Sequence, residues 1–226
     1  MELIQVLFSP AEAFTSLRGK KWAWVLPTLL MMAIGVLSMF LLLNRFSAVA
    51  IMEDQIAQSG QQIPPQGLGQ AAGIVTMMMY TSAVVFAIIS VLFIALILLG
   101  IVKGFSGETS FPMMLNASAY GMFAAYTVVN TALFFIMFFT APDLQTFQIQ
   151  NPIPLNAGYF VTPQDVGKAG VAFLSGINLV NFYLMYLLAL GAAKLSDRVT
   201  TGKVLWPLAG LYTLYILGKT GLAAIF

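Results

Sequence analysis

From Gly107 to Thr140 the chain reads GETSFPMMLNASAYGMFAAYTVVNTALFFIMFFT, an apolar span that carries Asn116, Ser118, Tyr120, Thr127, Asn130 and Thr131 into what should be lipid. In hydrocarbon a polar side chain must find its partner inside the protein, because no water is there to take the bond. The stretch is therefore expected to be a central helix, wrapped by neighbours, in an all-α polytopic membrane protein. Composition points the same way: 60% of the 226 residues are hydrophobic and 8% are charged, and mean hydropathy is +0.91. A soluble domain must keep a charged surface and does not reach such values.

The same composition removes whole classes of chemistry. There is no Cys and no His, so disulfides, thiolate or imidazole metal sites, Ser-His or Cys nucleophiles and His proton relays are excluded. A net charge of +2, without a clustered basic face, gives no basis for nucleic-acid binding. No cofactor, no metal and no catalytic residue is expected, and the bilayer itself is the first partner.

Taken in order, residues 1–21 form a lead with an apolar side of Leu3, Ile4, Leu7, Phe8, Phe14 and Leu17. Ser9-Pro10-Ala11-Glu12 reads as a capping box that starts a short helix. This lead is expected to lie along the membrane surface as an interfacial amphipathic helix, with Leu3, Leu7, Phe8, Phe14 and Leu17 as contacts to the membrane or to a partner. Residues 22–226 are expected to be one domain of five transmembrane helices, at about 22–43, 72–102, 112–140, 168–190 and 204–226. A signal peptide is the competing reading of the first span, but its apolar run exceeds the usual stretch of about 7 to 15 residues. The first helix is expected to continue past Asn44 to Ser59, and Gly60 to Gln70, with Pro64-Pro65, to turn the chain. The second helix, from about Gln70 to Val102, would be near 50 Å long at about 1.5 Å per residue, against a hydrocarbon core of about 30 Å. The two ends together predict a paired helical stalk. Residues 143–165 are expected to be a loop that dips back against the bundle.

Orientation follows from the basic residues. Arg18, Lys20, Lys21, Lys103, Lys194, Arg198 and Lys203 fall on one side and Arg45 and Lys168 on the other, with Lys219 inside the last span. The positive-inside rule places the N-terminus in the cytoplasm and the C-terminus outside.

Candidate chemistry is sparse. By helical rise Asn130 and Asn178 share a depth near the midplane, Asn181 and Ser175 lie on the same face as Asn178, and Thr213 reaches similar depth. This cluster reads either as a substrate or ion site or as ordinary interhelical hydrogen bonding, the latter being favoured. No acidic residue lies within a span, which weakens ion-coupled transport. Lys219 can snorkel to the nearer boundary. Gly218-Lys219-Thr220 imitates the end of a P-loop and Gly67-Leu68-Gly69 a dinucleotide fingerprint, but neither has the strand that such motifs need. Met77, Met78 and Met79 point about 100° apart on a helix and cannot converge on one ion.

LFSPAEAFTSLRGKKWAWVLPTLL is similar to the opening of the bacterial Yip1-domain proteins, where a Ser-Pro-x-x-x-Phe helix leads through a basic, Trp-containing junction into the first span. Gly107 to Phe123 resembles the family's segment between spans two and three, with its Gly-x-x-x-Phe start and Ala-Tyr pair, here Ala119-Tyr120. LLALGAAKLSDRVTTGKVLW resembles its fourth-to-fifth connection, with a glycine late in the fourth span and a Gly-Lys pair before the fifth. The Pro that often follows the Ala-Tyr pair is missing at Gly121-Met122-Phe123, so the kink it would give is not carried over to this chain. The resemblance implies a non-enzymatic membrane-organising or accessory protein of the bacterial inner membrane, assisting an exporter complex and working with a membrane-protein partner or as a homo-oligomer. Eukaryotic relatives associated with Rab GTPases carry a long cytosolic N-terminal region, so GTPase binding is not carried over. The alternative is a small transporter or channel that uses the midplane Asn cluster.

Overall fold

The computed structural model describes residues 1–59, 68–144 and 154–225. Two short helices, α1 (Glu2–Phe8) and α2 (Pro10–Ser16), precede α3 (Val25–Arg45), α4 (Ala48–Ser59) and α5 (Leu68–Gly104). Then come α6 (Phe111–Met122), a π-helical stretch (Phe123–Asn130), α7 (Thr131–Thr140), a 3₁₀ turn (Ala157–Phe160), α8 (Pro163–Gly176), α9 (Leu179–Lys194) and α10 (Thr201–Ile225). Among the described residues four runs are long and apolar enough to cross a membrane: Val25–Arg45, Ala71–Gly104, Phe111–Thr140 and Thr201–Ile225, with Leu179–Lys194 a shorter apolar helix.

Helix α6 is the one the others surround. Every residue from Met114 to Met122 is buried, as a helix without a polar face must be. Two of its polar residues donate to neighbours: the Ser118 hydroxyl to the Val91 carbonyl of α5 at 2.9 Å, and Asn116 Nδ2 to the Lys20 carbonyl at 2.7 Å. Helices α5 and α9 flank α6, and α10 packs on α9.

Not all the apolar residues of the N-terminal lead are on its outer surface. Phe14 and Leu17 are wholly buried with Val6, Leu3 and Leu7 pack at the edge of the same core, and α2 packs on α9. Phe8, 81% exposed, and Ile4 face outward. The helix starts at Pro10 as the motif suggests, but Ser9 makes no side-chain cap. Its carbonyl already takes the Glu12 and Ala13 N–H groups, and the Glu12 carboxylate accepts from Gln5 instead. Arg18 then ties the lead to the far end of α9. Its guanidinium donates to the Lys194 carbonyl and the Ser196 carbonyl, each at 2.8 Å, and to Asp197 Oδ1 at 3.0 Å. The Lys194 carbonyl is among those a helix C-terminus leaves without partners, and a cation suits that end of the dipole. Glu108 and Asp197 exchange backbone bonds, and Arg198 pairs with Glu108 at 2.9 Å, so the basic residues gather at one end of the bundle.

At the opposite end, α3 does not run on into α4 as the spacing suggests. It stops at Arg45, and Phe46 is extended. The Arg45 guanidinium donates to the Ala141 carbonyl at the end of α7 and lies over the rings of Phe46 and Phe138, 5.1 and 4.8 Å from their centroids. Ser47 restarts the helix by accepting from Ala50 N–H at 3.2 Å. Helix α4 then packs on α5, which gives the paired stalk, while the Pro64-Pro65 turn lies outside the described residues. Residues 145–153 of the expected loop and Phe226 do so too.

The expected helix 168–190 is two helices. Gly167 has φ +72, a conformation open to glycine and costly for other residues, and the chain breaks again at Ile177-Asn178. Helix α8 begins one turn before Gly167 with a capping box that the sequence reading did not include. Thr162 and Asp165 bond reciprocally, and these bonds hold the Asp165 carboxyl below its ordinary range.

Candidate functional site

A helix that stops exposes carbonyls at one stump and N–H groups at the other, and where they are kept from water these must be met by protein. At the break between α8 and α9 they are. Asn178 accepts the Val180 N–H on its side-chain oxygen at 2.8 Å, the N-cap arrangement. The returning chain before the 3₁₀ turn pairs with the break: Leu179 N–H donates to the Leu155 carbonyl at 3.0 Å and Ala157 N–H to the Ile177 carbonyl at 3.1 Å. The part of the 143–165 segment that is described thus does come back against the bundle. A Cβ on Gly158 would collide with the backbone of Ser175, and one on Gly176 would lie 2.6 Å from Ile216 Cγ1. Glycine lets the backbones approach at Gly158 and lets the Ile216 side chain pack against the end of α8 at Gly176.

The last carbonyl of α8 polarises a chain of side chains. The Gly176 carbonyl accepts from the Tyr212 hydroxyl at 2.7 Å. Since a carbonyl can only accept, Tyr212 spends its proton there and must itself accept from Asn181 Nδ2, 2.6 Å away. Asn181 Oδ1 is left to accept, and it does so from the Tyr126 hydroxyl. Tyr126 lies on the π-helical stretch. A π-turn accommodates an extra residue and shifts the helix face, and the Thr131 hydroxyl there reaches back to the Tyr126 carbonyl at 3.3 Å. The irregularity therefore arises at the position where the expected proline is missing, without a proline.

Of the predicted cluster, Asn181 sits at the centre of this chain and Asn178 is consumed by capping two residues away. Ser175 packs against Gly158. Asn130 ends the π-helical stretch and caps no helix with its side chain. Thr213 is turned outward, its hydroxyl bonded to its own helix at Ala209 O, 2.9 Å. Asn130, Asn178, Asn181, Ser175 and Thr213 are therefore not a single convergent set. Tyr126 and Tyr212 are the members that the sequence reading missed. A signal existed for Tyr212: it is adjacent to Thr213, at the same depth, but about 100° around the helix.

Two cavities flank the chain, with Ile94, Tyr126 and Leu184 lining both. One, of about 540 Å³, lies among α3, α5 and the π-helical stretch, with Ser90, Thr127 and Thr131 on its wall. The other, of about 500 Å³, lies among α5, α9 and α10, with Asn181, Tyr212 and Tyr215. Among the described residues neither has a charged side chain in its lining. Among the described residues no group of acidic side chains could hold a metal ion. Lys219 is exposed near the end of α10. At the basic end, Lys20 donates to Glu2 at 2.5 Å, and this bond pulls the Glu2 carboxyl down to about 2.

The structure also explains the stretches that carried the resemblance. The Phe14 ring of Ser-Pro-x-x-x-Phe lies against Gly191 and beside Ala117, and Gly107 sits where a Cβ would strike Val102 and Val199. No curated protein and no solved structure matches the chain. The Yip1 domain model matches residues 4–221, nearly the whole length, so this multi-pass membrane protein belongs to the Yip1 domain family.

Proposed function

We propose that the chain is a non-enzymatic accessory protein that organises or supports a membrane-protein partner, in bacteria an exporter complex, from the inner membrane. The observation that carries this reading is the stalk. Helix α5 has no charged residue between Gln70 and Lys103, a length well beyond the roughly 20 residues that a bilayer core needs. Its end beside α4 exposes Ile74, Met77 and Met78. An apolar strip that outruns the lipid calls for a protein surface to cover it. The fourth crossing of a five-span chain would be α8 and α9 together, joined by the internally bonded break, with the N-terminus cytoplasmic and the C-terminus outside. The polar groups at mid-depth are largely committed to closing that break, which supports a structural role for them over a conduction path.

The test is affinity capture of the tagged full chain from native nanodiscs, with Ile74→Glu and Met78→Glu beside wild type. The expected result is a stoichiometric membrane-protein partner that is lost with either glutamate and kept with Thr213→Val. Recovery of the chain without a partner, or a partner indifferent to both glutamates, overturns the reading. A liposome flux assay then takes its place, since flux abolished by Asn181→Leu would favour the transporter alternative.

A further inference from the structure

We propose that the groove between α5 and α10 binds a lipid-soluble quinone, an uncharged ring with two carbonyl acceptors and an apolar tail. The argument begins with the direction of the hydrogen bonds. Because the Gly176 carbonyl forces Tyr212 to donate, Asn181 must present its Nδ2 group to Tyr212, and only one of its two N–H bonds is used there. The hydroxyl of Tyr215, one turn further along the same wall, donates to no acceptor among the described residues, and its ring stacks on Tyr212 with centroids 6.1 Å apart. The capacity left over in the groove thus includes two donors, Asn181 N–H and Tyr215 O–H. Donors left in hydrocarbon without acceptors are costly, and a carbonyl relieves them.

Depth and shape select among carbonyl compounds. By helical rise Tyr215 is about 18 Å along α10 from Lys203, near the middle of a core about 30 Å thick. Phospholipid ester carbonyls lie at the edge of that core, so they do not reach these donors, whereas a ring carried on an apolar tail does. The walls are aromatic and aliphatic, from Phe93 on α5 to Leu211 and Tyr212 on α10, and a flat ring stacks well on such faces. Phe93, Leu211 and Tyr215 are 62%, 46% and 61% exposed, so the lips open sideways to lipid and the ligand enters from the bilayer. The cavity of about 500 Å³ is within the usual range for small-molecule sites.

The experiment uses the full chain in phosphatidylcholine nanodiscs and a radiolabelled 1,4-benzoquinone with a decyl tail. Saturable binding near one per chain above empty discs is expected. Tyr215→Phe removes the free hydroxyl while leaving the Tyr126–Asn181–Tyr212 bonds in place, and should weaken binding about five-fold, the worth of one hydrogen bond. Leu211→Trp, at an exposed lip, should abolish binding by filling the groove, and Thr213→Val should change nothing. The dimethyl ether of the reduced probe, which has no carbonyl, should bind at least as weakly as the quinone binds Tyr215→Phe. Absence of a saturable component, or equal binding of quinone and ether, or of wild type and Tyr215→Phe, overturns the proposal. So does tighter quinone binding in discs of ether-linked lipid, which would show that ester carbonyls hold the donors instead.

Discussion

The Phe14 ring occupies the space beside Gly191 that any larger residue would fill: a Cβ built on Gly191 lies 2.9 Å from Phe14 Cε1 and 3.1 Å from the Ala117 Cβ. One aromatic ring thus joins the N-terminal lead, the central helix α6 and the end of α9. Phe14→Ala should destabilise the fold by about 3–5 kcal/mol, the range for emptying a buried aromatic site. Gly191→Ala should cost about 1–3 kcal/mol through overpacking. Thermal or denaturant unfolding in detergent reads both, and Phe8→Ala, on the exposed side of α1, should be near neutral in the same assay.

Arg18 tests whether the lead is held by geometry or by charge alone. Its fork meets two carbonyls and a carboxylate, which a lysine ammonium cannot satisfy in that arrangement. Both partners of the ion pair are about half exposed or more, so screening reduces its worth. Arg18→Ala should cost about 1 kcal/mol, and Arg18→Lys should recover little of it. Proteolytic susceptibility of the first eighteen residues provides a second measure, and full rescue by lysine would show that charge suffices.

The Glu2–Lys20 pair gives the end of the lead a pH dependence. The folded carboxyl titrates at about 2, below its ordinary value of 4.5, chiefly through the bond from Lys20. A depressed acid contributes fully above its unfolded value and loses that contribution as pH falls through the folded one. As pH falls from about 4.5 to 2 the protection factors of the α1 amides, corrected for intrinsic exchange, should therefore fall, and Glu2→Gln should show the looser state already at neutral pH. No change in α1 exchange across this range would remove the pair from the account.

At the helix break, Tyr212→Phe deletes the donor to the Gly176 carbonyl and the acceptor for Asn181. Leaving a buried carbonyl unmet costs about 1–3 kcal/mol, so this variant should melt well below wild type. Thr213→Val, next to it in sequence, should stay within about 0.5 kcal/mol, as surface substitutions do. Equal effects at the two positions would mean that the tyrosine hydroxyl carries no special burden.

Much of the architecture was legible because the bilayer imposes simple rules. Gly107–Thr140 had to be wrapped, and Met114 to Met122 are buried. The end of the overlong second helix was expected beside the end of the first, and α4 and α5 pair. Hydropathy reports how long a segment can stay in lipid, and it reports little about whether the backbone is continuous there. The residues around Gly176-Ile177-Asn178 are mostly apolar and Asn178 fits a helical spacing, so the break between α8 and α9 is silent in a hydropathy reading. Asn178 as a cap differs from Asn178 as a ligand only in the backbone around it.

The sequence by itself determined the solvent, the chemistries that could not occur, the central helix and the gathering of basic residues towards one end, since each depends on composition or on distance along the chain. Tertiary structure decided that Phe14 and Leu17 are core residues, that Arg45 ends α3 against α7, and that Tyr126, Asn181 and Tyr212 form one directed chain. Those outcomes depend on which backbone carbonyl is left without a partner and which donor lies beside it. Such a pairing joins residues as distant as Arg18 and Lys194, and only the packed fold brings them together.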